Sequence, residues 1–198
     1  MKNRAIFFDR DGILNDLVYH NTTREYEPPH NPTELIIIPD AINVIKILQK
    51  ENYLLIVISN QPDYAKGKTS FENLLNVHKK LESVFLSEKI SFSHYYYCYH
   101  HPDGIIASHS IICECRKPEP YFLFQAAVDF SIDLNQSWMI GDRDTDIECG
   151  KRAGVKTILI NYPFSKGNRG NSYPDYVVEN IYEIIPIINM ENNENNDE

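Results

Sequence analysis

The chain has little that would take it into a membrane, onto nucleic acid or out of the cell. Its purely aliphatic runs are short, Leu54 to Ile58 being one, and none could span a bilayer. The opening MKNRAIFF is basic but leads into no sustained apolar segment, so no export signal is expected and a reducing cytoplasm is the expected setting. Basic blocks and arginine stripes are absent, which speaks against binding the phosphate backbone of nucleic acid. The formal net charge is −9, but four of the acids, Glu191, Glu194, Asp197 and Glu198, lie in the last eight residues. The body is therefore only mildly acidic, and small cationic pockets for anionic metabolites remain open to it. No internal repeat occurs, and 198 residues fit one domain with a full core and no chain to spare for a second. A monomer is expected. Cysteine is scarce, four in all, yet three crowd between positions 98 and 115. In a reducing compartment such a cluster more often ligates metal than forms disulfides.

What is there alternates. Ala5-Ile6-Phe7-Phe8, Leu54 to Ile58, Ser91 to Tyr97, Trp138-Met139-Ile140 and Thr157 to Ile160 read as strands. Between them the spacing predicts helices from Asp40, taken as an N-cap, to about Glu51, then over Phe71–Ser87, Tyr121–Phe130 and Thr145–Ala153. Tyr176–Val178 adds a small strand and Ile181–Ile188 a last helix. Residues 13–38 are expected to be irregular, because Pro28-Pro29 and Asn31-Pro32 forbid a continuous helix. Continuous apolar strands alternating with helices predict an α/β fold, a Rossmann-like doubly wound parallel sheet covered on both faces. One domain over 1–188 is expected, with a zinc-binding loop at 98–115 and a disordered acidic, Asn-rich tail at 189–198.

Each predicted strand ends in polar residues. The first ends in Asp9-Arg10-Asp11-Gly12, the second in Ser59-Asn60-Gln61, the fourth in Gly141-Asp142-Arg143-Asp144-Thr145-Asp146. The carboxyl ends of strands form the ligand crevice of an open parallel sheet, so these groups are expected to converge. Asp9 and Asp11, two apart, can share one side of an extended segment. Close acids repel unless a cation or shared proton compensates. Few protein oxygens with several waters suits Mg²⁺, and a carboxylate can attack phosphorus to give an aspartyl-phosphate. The plain alternative for Asp-Arg-Asp-Gly is a solvated turn.

Cys98-x-His100, twelve residues, then Cys113-x-Cys115 supplies four ligands for a closed tetrahedral Zn²⁺. His101 and His109 are rival ligands, and a set of packed reduced thiols is the plain alternative. A closed site leaves no position for substrate, so the zinc is expected to be structural. It would pin the loop that leads straight into Arg116 and Lys117.

At these residues the chain resembles a known family. FFDRDGILN, ISNQ, RKP and IGDRDTD follow the order of the four motifs of the haloacid dehalogenase-type phosphatases, across about residues 5–160. The resemblance implies Asp9 as nucleophile, Asp11 as general acid/base, and Ser59 and Lys117 as the groups that hold the transferring phosphoryl. It implies Mg²⁺ on Asp9, the Asp11 backbone carbonyl and Asp142, with Asp146 in support. The Cys-x-His-His-Pro…Cys-x-Cys-Arg-Lys-Pro loop is similar to that of the D-glycero-D-manno-heptose 1,7-bisphosphate 7-phosphatase and histidinol-phosphatase branch, which lacks a large cap domain. Departures occur at Cys98-Tyr99-His100, at Asn60-Gln61-Pro62-Asp63 and at Gly141-Asp142-Arg143.

The resemblance implies that Leu17–His20 and Ser59–Pro62, Asn60 and Gln61 among them, line the substrate pocket. Arg116, Lys117 and Arg143 would give it a cationic rim, which suits a second phosphate. A small phosphorylated sugar, most of all a heptose bisphosphate, is the expected substrate. Histidinol phosphate or another small sugar phosphate is the alternative, and a zinc-stabilised binding module without catalysis is the non-enzymatic one.

Overall fold

The computed structural model describes residues 2–194. Its main sheet has six strands: β1 (Arg4–Phe8), β4 (Tyr53–Asn60), β5 (His94–Cys98), β6 (Trp138–Gly141), β7 (Lys156–Ile160) and β8 (Tyr176–Val178). Their spatial order is β5-β4-β1-β6-β7-β8, and every neighbouring pair is parallel. The strand order reverses beside β1, the switch point at which doubly wound sheets open a crevice. The strands predicted from apolar runs are all present. The third of them, β5, begins three residues later than expected, at His94, because Ile90 and Phe92 turn into the core before pairing starts.

Alternation along the strands divides the core. Ile6, Phe8, Leu55, Val57, Ile140 and Ile158 face one layer, made by α1 (Pro39–Leu48), α2 (Phe71–Ser87) and α5 (Ile184–Glu194). Ala5, Phe7, Ile56, Ile58 and Met139 face the other, made by α3 (Tyr121–Asp129) and α4 (Asp144–Ala153). Full burial of each large apolar side chain contributes roughly 1.5–3 kcal/mol. Ser70 caps α2 by accepting the Asn73 N–H at 3.1 Å.

Three expectations are corrected. Asp40 is not the cap of α1. Pro39 takes the first helical position, where its missing N–H costs nothing, and Asp40 falls within the first turn. The buried face of α1 is Ala41, Val44, Ile45 and Leu48, and Ile47 is exposed. The segment 13–38 is not wholly irregular: β2 (Val18–His20) and β3 (Glu25–Glu27) form an antiparallel hairpin. Last, the tail expected to be disordered from residue 189 is helical to Glu194. Asn192 accepts from Arg4 at 2.8 Å and Tyr53 at 2.7 Å, and Glu191 pairs with Lys156. Residues 195–198 lie outside the described residues. Among the described residues no helix is long and apolar enough to cross a membrane.

Candidate active site

The ends of β1, β4 and β6 bring the motif residues together. Parallel pairing sets Phe8 against both Val57 and Ile140, so Asp9, Ser59 and Asp142 leave adjacent strands at similar height. Asp9, Ser59, Lys117, Asp142 and Asp146 are all buried. Carboxylate oxygens of Asp9, Asp142 and Asp146 lie within 4.8 Å of one another. Lys117 Nζ lies 2.9 Å from Asp9 and 2.6 Å from Asp146, and it donates to the Ile58 carbonyl at 2.7 Å. Its backbone is held as closely. The Asn60 side chain donates to the Lys117 carbonyl and accepts the Lys117 N–H, each at 3.0 Å.

Charge balance decides the protonation states. Burial disfavours the Asp9 carboxylate, but Lys117, a hydrogen bond from Ser59, and Arg143 outweigh it and hold Asp9 below the ordinary carboxyl range. Asp142 goes the other way. Burial, with repulsion from Asp146 and Asp9, pushes its carboxyl up to about 8. Lys117 is desolvated too, yet Asp146 and Asp9 hold its ammonium charged well above the usual range.

Three buried carboxyl groups share Lys117 and the nearby Arg143, and the donors show where a further cation fits. Asp146 is occupied by Lys117 and by the backbone N–H groups of Asp142 and Arg143, at 3.2 and 3.0 Å. Both side-chain oxygens of Asp142 are buried without a hydrogen-bond partner. A β-carbon at Gly12 (φ +88°) would stand 2.6 Å from one of them, so the chain passes there at closest approach. This all-oxygen set suits a hard divalent ion such as Mg²⁺.

Asp11 is the most hydrogen-bonded acid of the group. Arg10, itself buried, donates from Nε at 3.1 Å and from Nη2 at 2.9 Å to one oxygen, which Asn15 also reaches at 2.9 Å. Gln61 donates to the other oxygen at 2.6 Å and to Ser59 at 3.1 Å. Arg10 and Asn15 carried no assigned role in the sequence; alternation along a strand end does not reveal an arginine folded back onto its neighbour.

The residues of the cysteine loop also converge. The sulfurs of Cys98, Cys113 and Cys115 are 3.3 to 3.5 Å apart, and His100 Nδ1 is 3.5 Å from Cys115 and 3.9 Å from Cys98. Tetrahedral ligands of an ion bound at about 2.0–2.3 Å stand at close to these separations. Of the rival histidines, His101 Nδ1 accepts the Asp103 N–H at 3.1 Å and His109 Nδ1 pairs with the Ser108 hydroxyl at 2.9 Å. The loop reaches the site through Arg116, which donates to the His100 carbonyl at 3.3 Å. Cys149 is a buried thiol that donates to the Glu119 carbonyl.

A cavity of about 430 Å³ adjoins these groups, lined by Asn60, Arg116, Arg143, Lys66 and Lys68 together with Glu25 to Pro28 from the hairpin. Among the pocket residues expected, Asn60 and Pro62 line it, Gln61 is buried at Asp11 and Ser59, and the hairpin contributes residues 25–28 in place of 17–20. The hairpin is anchored by Tyr26 stacked on Phe164 at 3.8 Å, and by Tyr162, which receives the Leu17 N–H and donates to Asp16.

Residues 114–184 match the HAD-hydrolase-like family model. The D-glycero-beta-D-manno-heptose-1,7-bisphosphate 7-phosphatase of Haemophilus influenzae is 30% identical over 187 residues, 94% of this chain and 97% of that one. The D-glycero-alpha-D-manno-heptose-1,7-bisphosphate 7-phosphatase of Burkholderia mallei is 29% identical over 188 residues, 95% of each chain. Among solved structures, the D,D-heptose 1,7-bisphosphate phosphatase of B. bronchiseptica, complexed with magnesium and phosphate, superposes with a TM-score of 0.78 at 22% identity, over 95% of this chain and 99% of that one. With the sheet order, the strand-end acids and these relatives in agreement, the chain belongs to the haloacid dehalogenase-like phosphatases, in their heptose-bisphosphate branch.

Proposed function

We propose that the protein hydrolyses a phosphate monoester of a small sugar through an aspartyl-phosphate on Asp9, with D-glycero-D-manno-heptose 1,7-bisphosphate as substrate and its 7-phosphate as the group removed. The observation that carries this is Lys117, seated between Asp9 and Asp146 and beside an Asp142 whose two oxygens have no partner. A phosphate monoester carries about two negative charges, so an anionic nucleophile needs that charge offset. Mg²⁺ on Asp9 and Asp142 would supply electrostatic stabilisation of the phosphoryl oxygens. The chain's own groups do the rest. Asp9 attacks phosphorus while Lys117 and Ser59 hold the non-bridging oxygens, and the ester bond breaks toward the sugar.

Asp11 gives its proton to the departing alkoxide, then takes one from the water that attacks the acyl-phosphate. Asp11 receives only donors, the arrangement that suits a carboxylate, and the Gln61 carbonyl oxygen is buried without a partner. Turning the Gln61 amide over would offer that oxygen to a protonated Asp11, so one side chain serves both states.

Arg116, Arg143, Lys66 and Lys68 share the cavity lining with Glu25, Glu27, Asp63 and Asp144, and the two arginine forks are the groups that would receive a second phosphate. This favours a bisphosphate over histidinol phosphate, whose amine is cationic, and the names of the relatives favour it too. Support for a structural Zn²⁺ comes from the Cys98, His100, Cys113, Cys115 cluster. The test is phosphate release with Mg²⁺ from the heptose bisphosphate and from histidinol phosphate at equal concentration. The bisphosphate is expected to give the larger kcat/KM; a larger value for histidinol phosphate would overturn the substrate assignment.

A further inference from the structure

Away from the motif residues, the hairpin builds a second constellation that phosphoryl transfer does not use. His20 ends β2, Glu27 ends β3 and His30 follows, and one potential ligand atom from each lies within 4.8 Å of the other two. The two imidazoles stack at 3.9 Å. Glu27 is buried, and Lys68 occupies only one of its oxygens; the other, Oε2, has no hydrogen-bond partner. His30 Nε2 is unpartnered too, 3.4 Å from Glu27 Oε2. Asp63, at the end of the chain segment leaving β4, is 3% exposed and presents a third orphaned atom, Oδ2, 3.6 Å from the same nitrogen.

These separations are too long for good hydrogen bonds. They are close to the edge of a tetrahedron around an ion bound at about 2.0–2.2 Å, the zinc distance for imidazole nitrogen and carboxylate oxygen. Three buried polar atoms left unsatisfied are costly, and a cation held by Glu27 and His30, carrying a water that reaches Asp63, satisfies all three. Second partners orient the ligands, as they do in metal sites generally. His20 Nε2 lies 3.3 Å from the Pro28 carbonyl, and Lys68 fixes the second oxygen of Glu27.

We propose that His20, Glu27 and His30 bind a second divalent ion of the zinc class, distinct from the ions of the strand-end acids and of the cysteine loop. Three protein ligands leave a fourth position for water, and Asp63 Oδ2 accepts the hydrogen bond of that water. The ion joins both strands of the hairpin to the chain leaving β4. Because Glu27 and Asp63 also line the cavity, it fixes that part of the wall. Nitrogen and carboxylate donors favour Zn²⁺, Co²⁺ or Mn²⁺ over Mg²⁺.

Co²⁺ reports the two kinds of site differently. Metal-stripped protein in saturating Mg²⁺, titrated with Co²⁺, is expected to take up two equivalents. One brings intense thiolate charge-transfer absorption from the cysteine loop; the other brings weak d–d bands alone. His30→Asn and Glu27→Gln should each bind one equivalent, with the charge-transfer band intact as the sign of a folded loop. Uptake of a single, thiolate-bound equivalent by the unaltered protein would overturn the proposal without recourse to variants. So would variants that keep the second equivalent.

Discussion

Replacing Gly12 by alanine should damage the site more than the fold. Gly12 sits at φ +88°, and a β-carbon there would lie 2.6 Å from Asp142 Oδ2 and 2.9 Å from its Cγ. Ordinary contact begins near 3.4 Å, so the carboxylate must retreat by about 0.8 Å. A metal–ligand distance tolerates about 0.2 Å, so Asp142 would leave the coordination sphere proposed for it. The left-handed backbone adds about 1–2 kcal/mol of strain. Gly154 is the control. It holds φ +79° at the end of α4 with nothing nearer than 3.9 Å to its would-be β-carbon. Gly12→Ala and Gly154→Ala are expected to lose similar stability in urea. Only Gly12→Ala should need much more Mg²⁺ for half-maximal phosphate release and lose roughly a hundredfold in kcat/KM, the scale of a misplacement near 1 Å. Equal Mg²⁺ dependence in the two variants would refute the reasoning.

Three further outcomes are expected. Without metal, Asp142 has a folded-state pKa of about 8, raised by burial and its acidic neighbours. The stability of its protonated form is therefore full below the unfolded value near 4 and is lost as pH rises through about 8. In EDTA the urea midpoint should fall across that window, and Asp142→Asn should flatten the slope; an unchanged slope would contradict the charge balance described. Asn60→Ala leaves both backbone groups of Lys117 without their partner. It should cost about 1–3 kcal/mol and lower kcat more than it raises KM; a change in KM alone would show that Asn60 only contacts substrate. Cys113→Ser should lose the thiolate-held metal on dialysis and expose residues 99–112 to proteinase K; a protected loop without metal would show that packing alone holds it.

The sequence makes the sheet legible because parallel strands buried on both faces must be apolar throughout, and the acids at their ends stand out against them. It makes the cysteine loop legible because ligand spacing is local. The hairpin is different. Val18–His20 and Glu25–Glu27 are three-residue strands set among prolines, with Glu27 alone fully buried, and they lack the periodicity of a core element. Meeting of His20, His30 and Asp63 depends on how that hairpin lies against β4, which no local pattern records. The last turns of α5 are likewise invisible in an Asn- and Glu-rich stretch. Their order comes from Arg4, Tyr53 and Lys156, residues more than thirty positions away. Asp146 was legible by position, whereas its grip on Lys117 belongs to the tertiary structure.

The central claim is that Asp9 becomes phosphorylated once a divalent ion offsets the charge it shares with Asp142. Protein mixed with Mg²⁺ and D-glycero-D-manno-heptose 1,7-bisphosphate, quenched in acid and digested, tests it by the mass of the peptide that carries Asp9. The account predicts one added phosphoryl group on that peptide, absent in EDTA and absent in Asp9→Asn. Undiminished phosphate release by Asp9→Asn, with no adduct at any time point in the unaltered protein, would contradict it.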